Sequence, residues 1–169
     1  MNMQSENEEK IISYLTFKIG DEMFATHVSV VLNIIELPKI TKVPNTPPYM
    51  KGIINLRGMI LPVVDSRLKF GLQETDYTEK TCIIVMDIKL NEEIDHVGLL
   101  VDEVSEVLLI EDSQIEPPPM LGKMFKTSMI KGITKFDENM IMIIDVINLF
   151  SSLEIDEIAN VQEKSVEVM

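Results

Sequence analysis

Two aspartates, Asp65 and Asp145, stand at matching places in the chain, each directly after a short apolar run. Two carboxylates held close together could divide general acid and general base work between them. Each aspartate follows the same kind of segment, however, with Val63 and Val64 before one and Ile143 and Ile144 before the other. We therefore favour a structural role, in which both carboxylates accept hydrogen bonds from turn amides.

The other chemically capable side chains are scattered. His27 and His96 have no partner at metal-ligand spacing, so surface or capping roles fit them better. Cys82 lies within an apolar run and is expected to be a small buried hydrophobe. The sequence also shows no glycine-rich phosphate loop and no paired nucleophile and base. It predicts no catalytic residue, no metal site and no cofactor, and it favours a binding module over an enzyme.

The most distinctive segment, residues 51–65, is predicted to form a strand, a tight turn and a second strand. Its polar tip is Asn55-Leu56-Arg57-Gly58, where glycine can take a positive φ without steric cost. Pro62 lacks a backbone N–H, so the second strand should lie at a sheet edge or carry a bulge.

This segment occurs twice. Lys51-Gly52-Ile53 returns 80 residues later as 131–133, and the apolar run with its aspartate returns at the same offset. Only the tip differs, because residues 135–138 read Lys-Phe-Asp-Glu. The chain is therefore predicted to be a tandem duplication, with a first repeat at 12–71 and a second at 81–150.

Residues 28–36 permit two interpretations. Their apolar residues recur at helical spacing, yet β-branched side chains dominate. We predict a short helix that begins at Thr26 or His27. Residues 31–35 also match 104–108 loosely, which extends the repeat.

Many short strands and few helices predict a mainly β fold of two small barrels. Each repeat is marginal in size, so the halves should pack on one another, and 140–144 should be buried on both faces. Ser151 and Glu154 fit a capping box that begins a C-terminal helix at 152–161. Residues 1–10 and 163–169 are expected to be flexible.

The charge is strongly acidic, −13 overall, which argues against general nucleic-acid binding. Residues 38–69 nevertheless hold six Lys and Arg against one Asp, whereas 92–116 hold nine carboxylates and no Lys or Arg. This asymmetry predicts a local basic site for an acidic partner, although solvated faces can also differ by chance. The sequence shows no signal peptide and no apolar run long enough to span a membrane, and a single cysteine fits a reducing cytosol.

Residues 49–65 closely resemble the signature of the CheW family of chemotaxis coupling proteins. Gly20-Asp21-Glu22, Asn45-Thr46-Pro47-Pro48 and 131–133 fit the same pattern. The resemblance implies a single domain over 11–155 with two five-stranded barrels of SH3 or OB type that share a hydrophobic seam. It leaves open whether the repeats exchange strands. It also implies a cytoplasmic adaptor at receptor arrays on the inner face of the membrane, without enzyme activity, cofactor, nucleic-acid binding or direct membrane insertion.

The implied partners are the regulatory domain of the chemotaxis histidine kinase and the cytoplasmic tip of methyl-accepting chemoreceptors. Positions that resemble kinase-binding ones are Val31, Asn33 and Ile34. Positions that resemble those for receptor coupling and kinase control are Gly52, Asn55, Arg57 and Gly58. The chain departs from the family where Asn33 replaces a frequent Glu and His27 a frequent Asp. The alternatives are a coupling module of another two-component pathway and, ranked lower, a nucleic-acid-binding small barrel.

Overall fold

Ten strands in two five-stranded sheets build the part of the chain described here, residues 10–90, 93–118 and 129–150 of a computed structural model. In spatial order, sheet 1 contains β8 (Glu103–Glu111), β1 (Ile11–Ile19), β2 (Glu22–His27), β10 (Asn139–Ile144) and β9 (Ile130–Phe136). In the same way, sheet 2 contains β3 (Val31–Glu36), β6 (Cys82–Leu90), β7 (Glu93–Val101), β5 (Met59–Asp65) and β4 (Met50–Leu56).

Each sheet takes strands from both halves of the sequence. Strands β1 and β2 pair with β8 and β10, whereas β3 and β5 pair with β6 and β7. The β2–β10 and β5–β7 pairs are parallel, and the other pairs are antiparallel. Neither half of the chain could therefore complete a sheet without the other.

The largest buried apolar cluster in the described chain lies between the two sheets. Phe17 and Phe24 enter it from sheet 1, and Met86 and Leu99 enter it from sheet 2. A smaller cluster around Leu61 belongs to sheet 2 alone, and another belongs to sheet 1. A fully buried side chain of this size contributes about 2 kcal/mol. The predicted mainly β fold of two five-stranded units with a shared apolar seam is confirmed.

Strand β10 contributes to two of these clusters. Ile141 and Ile143 face the cluster of sheet 1, whereas Met142 and Ile144 face the seam. Met140 is 54% exposed. Burial on both faces thus holds for the last four residues of the predicted run and is wrong for Met140.

The predicted hairpin at 51–65 is present as β4 and β5. Arg57 and Gly58 form a two-residue loop with φ of 54° and 86°, the pattern of a type I′ turn. Strand β5 is interior, so the expected edge position for Pro62 is wrong. Pro62 is tolerated because pairing with β7 begins only at Val63. The predicted alternative, a bulge, corresponds to a register shift in the β4–β5 ladder, which lies on β4 between Met50 and Gly52.

Both aspartates at the strand ends cap short helices. Asp65 accepts from Arg67 N at 2.8 Å at the start of α1 (Ser66–Lys69). Asp145 accepts from Asn148 N at 3.1 Å at the start of α2 (Val146–Leu149). The predicted turn-amide role is confirmed for both carboxylates, although the sequence analysis did not predict these helices.

The helix predicted near 28–36 is wrong over most of its length. His27 does cap a helical turn, but this is a single 3-10 turn at Val28–Val30, and β3 follows directly. Strand β3 pairs with β6 from Val31 to Glu36, so tertiary pairing decides between two patterns that the sequence allows.

The remaining expectations concern the two ends of the chain and a membrane-spanning helix. The predicted C-terminal helix at 152–161 and the segment 163–169 lie outside the described residues, as does 1–10 except for Lys10. Within the described part, no helix is long and apolar enough to cross a membrane.

Candidate functional site

The tip of the first hairpin is fixed by its own asparagine. Asn55 Oδ1 accepts a hydrogen bond from Gly58 N at 2.8 Å across the turn. Because Arg57 and Gly58 both have positive φ, the turn is set by backbone geometry as well as by this bond. The prediction brought Asn55, Arg57 and Gly58 together, and the structure places them in one short turn.

Arg57 points its charge away from the fold. The residue is exposed, and no carboxylate in the described part of the chain lies within ion-pair distance of it. Asp65, the internal partner that a structural role would suggest, instead faces Lys51 Nζ at 3.8 Å. The guanidinium fork is therefore not used by an ion pair within the described chain, and its geometry suits a carboxylate or a carbonyl.

Gly52 is buried and has a structural purpose. The residue has a φ of 147°, and a Cβ there would lie 2.1 Å from Thr41 O. Thr41 and Ile53 exchange two backbone hydrogen bonds of 2.9 and 2.8 Å, which hold the proline-rich connector against β4. Gly52 thus permits this close approach and does not present a surface.

The second repeat contains the same arrangement. Glu116 and Ile133 exchange two backbone hydrogen bonds of 2.8 Å. A Cβ at Gly132 would lie 2.4 Å from Ile115 Cγ2. The glycine that recurs in the two repeats therefore has a shared packing cause.

The predicted kinase-binding residues on β3 differ in how far they are buried. Val31 packs against the seam, whereas Ile34 is 42% exposed. Asn33 is half-buried, and its Oδ1 accepts from the next amide, Ile34 N, at 2.9 Å. The structure therefore leaves Ile34 as the exposed apolar member of the predicted set.

Sequence reasoning missed two exposed apolar neighbours of Ile34. Leu32 on β3 is 50% exposed, and Val28 on the preceding turn is 36% exposed. We refer to Val28, Leu32 and Ile34 as the β3 face. A strand reading with period two would have identified Leu32 and Ile34 as outward neighbours.

The two predicted binding surfaces share a sheet without meeting in it. Strand β3 lies at one end of sheet 2 and β4 at the other, with β6, β7 and β5 between them. The hairpin tip and the β3 face are thus carried by different strands of one sheet.

The sequence match between 31–35 and 104–108 relates two edge strands. Strand β8 is an end strand of sheet 1, as β3 is of sheet 2. Strand β8 also carries exposed apolar side chains, with Val107 57% and Leu109 71% exposed.

Half of the predicted basic cluster is used inside the fold. Lys51 Nζ contacts Glu74 and Asp65, and Arg67 is paired with Asp102. Lys69 Nζ lies 4.6 Å from the centre of the Tyr49 ring. Lys39, Lys42 and Arg57 are the exposed remainder, so the basic site is smaller than the sequence predicted.

The contacts of Lys51 set the local electrostatics. Burial alone lowers the pKa of Lys51, but the hydrogen bond and charge of Glu74, with Tyr77 and Asp65, outweigh it and raise that pKa. Burial also raises the pKa of Asp65, and its bonds to the amides of α1 and the charge of Lys51 oppose the rise. Through the exposed Glu74, Lys51 ties the base of the hairpin to the segment between the repeats.

The described chain offers few groups suited to reaction chemistry. No group of three or more His, Cys, Asp or Glu residues there could hold a metal ion. A cleft of about 270 Å³ has mainly apolar walls that include Val30, Ile88 and Val146. A second, of about 290 Å³, is lined by the Arg67–Asp102 pair and polar side chains. Neither cleft holds a nucleophile paired with a base.

Comparison with known proteins gives a consistent result. The family described as CheW-like domain matches residues 13–154. The chain is 34% identical to a chemotaxis protein CheW of Klebsiella aerogenes over 148 residues, 88% of this chain and 87% of the relative. It is 36% identical to a probable chemotaxis protein CheW of Rhizobium etli over 140 residues, 83% of this chain and 88% of the relative.

A solved structure of a similar protein has the same fold. The crystal structure of the scaffolding protein TtCheW from Thermoanaerobacter tengcongensis superposes with a TM-score of 0.74 at 33% identity. The match covers 86% of this chain and 96% of that protein.

Proposed function

This chain belongs to the CheW-like family and is a chemotaxis adaptor, and from that premise we propose that it bridges a histidine kinase and chemoreceptors. The partners would be the regulatory domain of the kinase and the cytoplasmic tip of the receptor. The observation that carries the proposal is the placement of two exposed surfaces, the hairpin tip and the β3 face, on different strands of sheet 2. One adaptor can then hold both partners at once.

The hairpin tip is proposed to serve receptor coupling and kinase control. Arg57 offers a permanent positive charge on a turn that Asn55 and Gly58 hold in place. A helical receptor tip presents carboxylates and terminal carbonyls, which suit a guanidinium fork. Gly52 contributes because its lack of a side chain lets the connector at Thr41 pack against β4.

The β3 face is proposed to dock the kinase regulatory domain. Leu32 and Ile34 provide adjacent outward apolar side chains, and Val28 extends them. A small apolar anchor of this kind supplies most of the binding energy in many interfaces, with surrounding charges that aid encounter. Asn33 and Val31 would act by shaping the strand, since Asn33 bonds its neighbour's amide and Val31 packs inward.

The role proposed here needs no catalytic activity and no cofactor. We place the adaptor in the cytoplasm, recruited to receptor arrays at the inner face of the membrane without insertion into it. A nucleic-acid role is not favoured, because the net charge is −13 and aromatic residues are 5% of the chain.

Reconstitution tests the proposal directly. The full chain, a purified kinase regulatory domain and a soluble receptor cytoplasmic fragment are mixed in pairs and together, and complexes are separated by size-exclusion chromatography. We expect both binary complexes and a ternary complex that contains all three proteins. Two binary complexes that exclude each other would contradict the bridge, and binding to neither partner would remove the adaptor mechanism altogether.

A further inference from the structure

His27 links the end of β2 to the start of the β3 face. Its backbone is extended, with φ of −59° and ψ of 131°, and the 3-10 turn Val28–Val30 begins immediately after it. Its imidazole Nδ1 accepts a hydrogen bond from Ser29 N at 3.0 Å. This is the geometry of an N-cap, and here a histidine fills a place that serine, threonine, aspartate or asparagine usually fills.

A histidine cap differs from the usual caps in its dependence on protonation. Neutral imidazole has one acceptor nitrogen, whereas imidazolium has two donors and no acceptor. Nδ1 can accept from Ser29 N only in the neutral form. A protonated ring would turn an N–H toward another N–H, and the cap would be lost.

The ring neighbour of His27 is Tyr14. The ring of Tyr14 lies 5.7 Å away at 64°, edge to face, and Tyr14 is also the cross-strand neighbour of His27. Burial, with the charge of Asp112, raises the pKa of Tyr14, so the phenol stays neutral. The 3-10 turn carries no acidic residue in its first turn and no basic residue in its last. Imidazole is the side chain that ordinarily titrates between about pH 5 and 8.

The capped turn sets how β3 leaves β2. Val31 N donates to Val28 O at the end of the turn. A register shift between Val31 and Asn33 then brings β3 into line with β6. Leu32 lies within this shift, so the geometry of the turn decides where its side chain points.

We propose that His27 is a pH-sensitive positioning residue for the β3 face, holding the docking geometry when neutral and releasing it when protonated. The inference rests on the proposed kinase docking at β3. Docking is then strongest at the alkaline side of the histidine transition and weakens as pH falls through it. Loss of one cap corresponds to about a fivefold weaker complex.

The test compares pH ratios within each protein. Dissociation constants for the kinase regulatory domain are measured by isothermal titration calorimetry at pH 8.0 and 5.5 for the wild-type chain, His27→Asp and His96→Gln. An aspartate cap accepts the same amide throughout this range without losing its charge. His96 on β7, whose Nδ1 lies 3.3 Å from Asp87 Oδ1 on β6, is the control for the other histidine. Titration of the kinase domain itself cancels when the ratios are compared.

We expect the ratio of the two constants to be about five times larger for wild type and His96→Gln than for His27→Asp. Equal ratios for wild type and His27→Asp would overturn the inference. His27→Asn, whose amide oxygen also accepts, replaces the aspartate variant if that variant loses its cooperative melt.

NMR of the free chain separates this inference from the proposed function. The Ser29 amide shift should follow the His27 imidazole titration in wild type and lose that dependence in His27→Asp. A Ser29 amide that ignores the titration would overturn the cap switch whatever the kinase does. Absence of kinase binding at pH 8.0 would instead overturn the docking role, and with it the proposed function of β3.

Discussion

The guanidinium of Arg67 binds the carboxylate of Asp102 through two nitrogens, with Nε 2.9 Å and Nη2 2.8 Å from Oδ2. Arg67 belongs to α1 beside sheet 2, and Asp102 stands between β7 and β8, where the chain passes from sheet 2 to sheet 1. The same carboxylate accepts from Gly20 N at 2.6 Å, in the turn between β1 and β2. One polar clip thus joins the two sheets at the rim of their apolar seam.

Removal of the clip should destabilise the fold. Arg67→Ala leaves Asp102 without its charged partner, and we expect a loss of about 2 kcal/mol, or roughly 4–8 °C in the melting temperature. Arg57→Ala is the matched control, since Arg57 has no ion pair in the described chain and should change stability by about 0.5 kcal/mol. Differential scanning calorimetry of both variants gives the answer. Equal melting temperatures would show that the clip contributes nothing.

Gly52 in the first hairpin should be required for the connector to pack against β4. In Gly52→Ala the new methyl would meet Thr41 O at 2.1 Å and force an unfavourable φ, so we expect a loss of about 3 kcal/mol or more. Gly58→Ala meets no atom within 4 Å and carries only the cost of its positive φ, about 1 kcal/mol. Urea unfolding measures both. A Gly52→Ala protein as stable as Gly58→Ala would contradict the close approach of the connector.

Charge reversal at the hairpin tip should impair function without unfolding the chain. Arg57→Glu is a surface change of about 0.5 kcal/mol, so the melting temperature should move by only a few degrees. Receptor-dependent activation of kinase autophosphorylation should fall, because the proposed receptor contact loses its cation. Asp137→Lys is the control, since Asp137 holds the same turn position in the second repeat with φ of 56°. A folded Arg57→Glu protein with full coupling removes Arg57 from the site.

Residues of β3 that differ in burial should respond differently to aspartate. Ile34→Asp places the charge in solvent and should weaken kinase binding about tenfold while the melt is kept. Val31→Asp brings the charge against the seam and should cost about 2 kcal/mol of stability.

Met140→Asp, exposed on sheet 1, is the binding control for Ile34→Asp. Calorimetric titration with the kinase domain, after a thermal melt, distinguishes the variants. Unchanged binding by Ile34→Asp would exclude the β3 face as the docking surface.

The first half of the chain should not fold alone. In a fragment of residues 1–75, β1 loses β8, β2 loses β10, β3 loses β6 and β5 loses β7. What remains is two isolated hairpins, which are marginally stable in water. We expect poor amide dispersion in NMR and no cooperative urea transition. A well-dispersed spectrum would show that the seam is dispensable.

Local features were predictable from the sequence because local chemistry determines them. Gly58 marks the type I′ turn, and the aspartates after each apolar run cap the next turn. The secondary structure of residues 28–36 was not predictable in this way, since their apolar residues suit either a helix or a strand. Its partner β6 begins at Cys82, far along the chain, and that pairing settles the choice.

The candidate site was predictable to a similar extent. The tip residues are adjacent in sequence, so their proximity in the structure is expected. Counting charges could not show that Lys51 forms an ion pair with Glu74 and Arg67 with Asp102, since those contacts depend on how distant segments pack. The purpose of Gly52 likewise depends on Thr41, which lies on a separate connector.

The sharing of strands between the halves has a consequence for biosynthesis. Ala25 on β2 pairs with Ile143 on β10, so the sheet cannot close until the ribosome has passed that residue. At about 5–20 residues per second, the wait is of the order of ten seconds. During that time the nascent β1–β2 hairpin exposes Phe17 and Phe24, which are buried in the finished protein. We therefore expect this adaptor to fold after translation and to depend on chaperones that shield its first hairpin until the chain is released.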